Sequence, residues 1–260
     1  MKKLLMKIVS MCFMAVIVCP CVMANEKLDL DMVKIPGKNF SMLRTEVTQE
    51  LYEAVMGENP SYFCHDNKKI DEYSLKNLNK STSNYPVENI SWYDAIYFCN
   101  KLSEKERLQP VYAVNGETSI RKWNYEPHNK DKIDGVITQD IFANGYHLPT
   151  VEEWLYAAKG GEDYYYSGSN DIDKVAWYND NSNWVTHPVA QKKNNGYGLY
   201  DMSGNVDEWC WDSYGSDNRY NCGCSWYNSD RYGKLDSRDY CNADGRYIDL
   251  GFRIVRSTGK

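Results

Sequence analysis

Between Trp211 and Leu250 the chain has no Glu, Gln or Met, although these make up about an eighth of residues 25–211. At that frequency about five would be expected, so composition shifts abruptly within one continuous chain. Histidine is scarce throughout: His65, His128, His147 and His187 are scattered without metal-ligand spacing. Cys222-Gly223-Cys224 has neither a companion pair nor nearby histidines, which argues against zinc. No apolar run beyond residue 24 reaches membrane-spanning length. Nor is there a basic excess. Past residue 24, 27 Lys plus Arg stand against 36 Asp plus Glu, a net charge of −9 that argues against a general nucleic-acid binder.

What fills the stretch is as telling as what is missing. Of the 40 residues from Trp211 to Leu250, 33 are Asn, Asp, Tyr, Ser, Gly, Arg or Cys, the side chains that suit adaptable recognition. A genetic cause fits the gap. An AAC codon with both adenines freely replaced encodes fifteen amino acids, and Glu, Gln, Met, Lys and Trp are not among them. Only Trp226 and Lys234 break that exclusion between Asp212 and Leu250. A low-complexity polar loop would give a similar composition and would be disordered. Trp226, Ile248, Leu250 and Phe252 supply apolar anchors instead, which favours an ordered, diversified binding surface.

The rest of the chain reads as a frame for that surface. Residues 1–24 have a basic start at Lys2, Lys3 and Lys7, a short apolar core from Ile8 to Val18, and small residues at Val22-Met23-Ala24. This pattern predicts a signal peptide and export, and leaves Cys19 or Cys21 open as a lipid-anchor site with a poor lipobox. Residues 25–260 have no dividing linker and are expected to form one domain. Six cysteines remain there: Cys64, Cys99, Cys210, Cys222, Cys224 and Cys241. Export permits disulfides, but the spacing is not that of a small disulfide scaffold, and incidental thiols are an equal reading. Helices are expected over Thr48–Met56, from Ser91 with Asp94 as capping partner, and from Thr150 with Glu153 at the third position. Asp94 and these glutamates are therefore capping groups rather than acid–base catalysts. Elsewhere turn residues dominate, which predicts little regular structure.

Several blocks in order then resemble one family. They are Glu46-Val47-Thr48, Pro86-Val87-Glu88-Asn89-Ile90-Ser91-Trp92-Tyr93-Asp94-Ala95, and Tyr146-His147-Leu148-Pro149-Thr150-Val151-Glu152-Glu153-Trp154. Gly196-Tyr197-Gly198-Leu199-Tyr200-Asp201-Met202-Ser203-Gly204-Asn205-Val206-Asp207-Glu208-Trp209 follows, then Ser225-Trp226 and Gly251-Phe252-Arg253. Together they resemble the formylglycine-generating-enzyme/sulfatase-modifying-factor family. The resemblance implies an α+β fold with much irregular structure, the C-type-lectin-like fold of the formylglycine-generating-enzyme type. Oxidase members carry two cysteines between the Ser-Trp and Gly-Phe-Arg landmarks. Aligned on Arg238, Asp230 and Leu235 stand in their places, so the copper and thiol chemistry lacks its ligands. The chain also resembles variable proteins of diversity-generating retroelements, of the treponemal surface-protein type. There a reverse transcriptase rewrites adenines in a C-terminal repeat that encodes exposed residues. One departure is Cys222-Gly223-Cys224-Ser225-Trp226, where Arg-Gly-Gly-Ser-Trp is usual.

The expected site follows from both readings. Over a variable region at about 212–250, the ligand-facing set is Tyr214, Asp217, Tyr220, Tyr227, Asn228, Ser229, Asp230, Tyr232, Ser237, Asp239, Tyr240, Asn242, Gly245 and Tyr247. Trp209, Trp226, Leu250 and Phe252 are expected to pack beneath it, with Gly223 and Gly251 permitting close approach or special dihedrals. The family places structural calcium near Asn205 and an Asn/Asp loop. Here that implicates Asn205 and Glu208 with Asn179-Asp180-Asn181, against ordinary turn chemistry as the alternative. The expectation is an exported binding protein on the outer membrane or cell surface, otherwise periplasmic or secreted. Its partner is an unidentified protein or other macromolecule, not nucleic acid, and it meets a membrane only through a lipid anchor. No cofactor is expected beyond that calcium. A formylglycine-generating-type oxidase acting on a sulfatase cysteine is the alternative. A fixed sugar-binding lectin ranks last, since the stretch has no Glu-Pro-Asn triplet.

Overall fold

The computed structural model describes residues 28–258, so the expected signal peptide over 1–24, with Cys19 and Cys21, lies outside the described residues. Four α-helices run over α1 (Gln49–Met56), α2 (Glu72–Asn77), α3 (Trp92–Lys105) and α4 (Val151–Lys159). The strands are β1 (Met32–Lys34), β2 (Phe40–Leu43), β3 (Tyr112–Val114), β4 (Ile137–Gln139) and β5 (Tyr146–His147). They continue with β6 (Asp207–Tyr214), β7 (Asn218–Cys222), β8 (Asp239–Asn242), β9 (Leu250–Gly251) and β10 (Val255–Ser257). Between them most of the chain is turn and irregular backbone, as its turn residues predict.

Three helices begin where their capping residues place them. Thr48 caps α1, its side chain accepting from the Leu51 amide. Both α3 and α4 carry reciprocal capping boxes. Ser91 Oγ accepts from the Asp94 amide at 3.1 Å while Asp94 Oδ2 accepts from the Ser91 amide at 2.8 Å. Thr150 and Glu153 repeat the arrangement at 3.1 and 2.9 Å. Gly57 and Gly160 close α1 and α4 in the left-handed conformation that costs glycine least. On α3, Ala95, Ile96, Cys99 and Leu102 are fully buried, the inward stripe their spacing predicts. The short α2 was not foreseen; it has no apolar stripe and buries only Ser74.

Two four-stranded sheets organise the body. One has the order β1-β2-β10-β5 with every pair antiparallel, which brings the first and last described strands together. The other has the order β8-β7-β6-β9, antiparallel except for β6 and β9. Trp209 lies in the main core with Trp92, Phe98 and Phe252, where Phe98 and Phe252 meet edge to face at 5.1 Å. Trp154 heads a second cluster and Trp226 a small third one with Phe63 and Val185. Burying rings of this size contributes about 2 kcal/mol or more each.

A candidate binding face on the C-terminal stretch

The frame of the face is built from buried residues inside and around the stretch. Arg253 is fully buried, and its Nε and Nη2 lie 2.6–2.9 Å from the Glu208 carboxylate. Trp154 Nε1 donates to the same carboxylate at 2.7 Å, while the Arg253 Nη atoms donate to the carbonyls of Leu43 and Tyr200. This buried, charge-assisted cluster ties β6 to α4, β2 and the final segment. Glu46 sits nearby with neither oxygen hydrogen-bonded; burial and the Asp201 carboxylate push its carboxyl well above the usual range.

Trp226 pins the middle of the stretch. Its ring meets Phe63 edge to face at 5.2 Å and its Nε1 donates to Ile248 O at 3.2 Å. Phe63 is held in turn by Glu88, whose oxygens accept from the Tyr62 and Phe63 amides at 3.0 and 2.9 Å. Burial nevertheless raises the Glu88 carboxyl to about 8, outweighing those two bonds. Gly223 has φ +115, and a Cβ on Gly251 would meet Val87 O at 2.4 Å, so both perform the roles expected of them. The Cys224 turn holds although the usual glycine is absent. Cys224 takes φ +78, and its amide donates to Asp207 Oδ1 at 2.9 Å.

Above the frame, the expected ligand-facing set stays outside the core. None of its fourteen residues is buried; nine are exposed and five half-buried. Tyr214, Tyr227, Tyr232, Tyr240 and Tyr247 are between 39 and 57% exposed. Tyr214 and Tyr240 stack at 3.8 Å between ring centroids, with Tyr220 edge-on to Tyr214 at 5.5 Å, so β6, β7 and β8 carry one aromatic ladder. Asp217, Asp230, Asp239 and Asn242 are exposed around it; Ser229, Ser237 and Gly245 are half-buried.

Other residues have different tasks from those the sequence suggested. Asn228 belongs to the frame: its Oδ1 accepts from both the amide and hydroxyl of Ser225, at 2.9 and 2.7 Å. Asn205 and Glu208 do not fit the expected calcium site. Asn205 accepts from the His187 amide and donates to the His187 carbonyl, and Glu208 is taken up by Arg253 and Trp154. In the neighbouring loop Asn181 braces Tyr178 and Ala176, while Asn179 Oδ1 is buried without a partner. Among the described residues no group of three or more His, Cys, Asp or Glu is placed to hold a metal ion.

Three frame residues inside the stretch were missed. Asp212 Oδ2 accepts from the Val151 amide at 2.7 Å, anchoring the start of α4. Arg219 lays its guanidinium 3.9 Å from the Trp92 ring centroid and donates to Trp211 O at 3.0 Å. Arg246 reaches inward to Asp94 at 2.9 Å and to Lys130 O at 2.9 Å. Burial raises the Asp94 carboxyl, but His128 and Arg246 together hold it below its ordinary value. No sequence signal separates these arginines from exchangeable ones, because Arg is one of the fifteen encodable residues.

The face borders a recess of ligand size. A cleft of about 490 Å³ runs between α4, with Leu155, Tyr156 and Lys159, and the stretch at Leu235, Asp236 and Arg238. One wall is thus fixed and the other lies in the compositionally shifted stretch. Beneath Tyr232 and Ser237, beside Cys224, a second recess holds only about 20 Å³, room for one water. Trp184 is 49% exposed and packs edge-on to Tyr227 at 5.8 Å. Asp230 is exposed and Leu235 half-buried, and of the six thiols in residues 28–258 only Cys241 lies between Trp226 and Gly251.

Comparison with known proteins accounts for the blocks read in the sequence. Residues 21–258 match the sulfatase-modifying factor enzyme 1-like domain. The chain is similar to the solved structure of Treponema denticola variable protein 1, with 38% identity, a TM-score of 0.69 and 84% of each chain covered. It is 37% identical over 248 residues to the chaperone protein LppX of Paenibacillus barcinonensis, covering 84% of this chain and 80% of that one. It is 31% identical over 137 residues to the inactive C-alpha-formylglycine-generating enzyme 2 of Mus musculus, covering 45 and 44%. The architecture is accordingly the C-type-lectin-like fold of the formylglycine-generating-enzyme type.

Proposed function

The chain belongs to the sulfatase-modifying factor enzyme 1-like family, and we propose that within it the chain is a non-catalytic, exported ligand-binding protein with a diversified C-terminal face. The observation that carries the reading is the division inside residues 212–250. The side chains nominated for exchange lie outside the core, while Ser225, Trp226, Leu250 and Gly251 are buried. A rigid floor keeps down the ordering cost of binding, and tyrosines present large amphipathic area with few rotors to freeze. The similarity to a variable protein and to a chaperone supports binding rather than turnover. The cleft beside α4 sets an aromatic wall at Tyr156 against Asp236 and Arg238 of the compositionally shifted stretch. No cofactor enters this reading, and residues 25–260 act as one domain displayed at the outer membrane or cell surface, otherwise periplasmic or secreted.

Sequencing the neighbouring DNA and sister copies of the locus tests the proposal. It expects a near-identical repeat with AAC at the exchanged codons beside a reverse-transcriptase gene, and copies that differ at Tyr214, Tyr240 and the other face residues. Differences spread evenly over residues 25–260 would overturn diversification. Oxygen-dependent conversion of a cysteine peptide by the purified protein would overturn the non-catalytic part and favour the oxidase.

A further inference from the structure

We propose that Cys210 and Cys222 form an intrachain disulfide that staples β6 to β7 where the exchangeable stretch leaves its frame. Their Sγ atoms stand 3.8 Å apart, and neither residue is more than 1% exposed. The strand register explains the meeting. Glu208 opposes Cys222, and side chains two apart along a strand share a face. Cys210 and Cys222 are therefore diagonal neighbours on one side of the sheet, with the Trp209 ring turned into the other core. A disulfide needs about 2.0 Å between sulfurs, so the two thiols must draw together by about 1.8 Å to bond.

Of the remaining thiols, Cys99 lies in the main core and the other three have partners of their own. Cys64 bonds to Ser61 O, Cys224 contacts Ser225 O and Ser229 O, and Cys241 accepts from Asn221. The surroundings of the pair are apolar, with Trp154, Leu199, Met202 and Val255 in the same cluster. Burial pushes the Cys210 thiol well above its ordinary value, so once folded it is neither a nucleophile nor a ready metal ligand. Oxidation then belongs to the stage before the hairpin closes. One thiolate attacks a sulfur of a disulfide donor, giving a mixed disulfide. The other thiolate displaces the donor's remaining sulfur, and the donor leaves as a dithiol carrying both electrons and both protons. The donor is a protein or small-molecule disulfide of an oxidising compartment, a clause that rests on the export proposed above. The bond would hold the bulged β6–β7 register closed beneath Tyr214, Asp217 and Tyr220 while those side chains are exchanged.

The test uses residues 25–260 refolded with oxidised and reduced glutathione, alkylated in denaturant without reductant, and digested with trypsin. Cleavage after Lys193, Arg219 and Arg231 separates the two cysteines, so the disulfide appears as peptide 194–219 joined to peptide 220–231. The linked species is expected in the wild-type chain and in C224S, and is absent from C222S; the C224S digest alone assigns the bond even if C222S does not fold. Reductant is expected to lower the unfolding midpoint by roughly several degrees. Full alkylation of both Cys210 and Cys222, or a link from Cys222 to any other cysteine, overturns the proposal. The mass readout involves no ligand, so its failure is distinguishable from failure of the binding reading.

Discussion

Trp226 and Tyr227 are adjacent in the chain, yet one is 6% exposed and the other 57%. The same contrast recurs along the whole stretch. Asn221 is buried beside half-exposed Tyr220, and Arg246 turns inward to Asp94 while Tyr247 turns out. The difference teaches that the frame and the face are not successive segments. They interleave residue by residue, because strand alternation and tight turns send neighbours to opposite sides. A face of this kind can change chemistry without changing shape, provided the inward partners are kept.

Substitutions can break that contrast from the frame side first. Arg253→Met leaves the Glu208 carboxylate buried and unpaired and is expected to cost about 4 kcal/mol in denaturant unfolding. A loss below about 1 kcal/mol would remove the buried pair from the frame. Trp226→Ala empties the third cluster against Phe63 and Val185 and is expected to cost about 3 kcal/mol by the same measurement. The Glu88 carboxyl titrates at about 8 in the folded chain against 4.5 ordinarily, so the folded state holds a proton that the unfolded chain releases. Its contribution is complete below about pH 4.5, falls as pH rises toward 8 and then levels off. Glu88→Gln should flatten this slope, worth on the order of 5 kcal/mol across the window. An unchanged slope would assign it to other groups.

From the face side the expected effects are small. Tyr214→Ala and Tyr240→Ala together remove a stacked but solvent-exposed pair, and stability should move by no more than about 0.5 kcal/mol. A thermal shift as large as that of Trp226→Ala would place both tyrosines in the frame. With a ligand in hand, the same double variant is the one expected to lose affinity.

Much of the frame was legible beforehand because its signals are local. Thr48, Ser91 and Thr150 announce their helices by capping chemistry within four residues. The short α2 gave no such apolar pattern, and strands of two to five residues are too brief for alternation to show. The outward set was nominated from composition, and none of its members is buried. Asp212, Asn228, Arg219 and Arg246 were not. Each belongs to a residue type common throughout the stretch, and only its partner, such as distant Asp94 for Arg246, gives it a fixed task. Asn205 and Glu208 misled for the opposite reason: oxygen-rich side chains look like cation ligands until the amide and guanidinium that occupy them are seen.

The parallel pairing of β6 with β9 sets Asp207 beside Leu250 and Glu208 beside Gly251. The excursion between them therefore departs and returns at one doorstep, and its two ends stay in register whatever its contour. Chain closure depends only weakly on the number of links enclosed. Insertions and deletions near Gly215 or Gly245 would lengthen or trim the loops without pulling on the body.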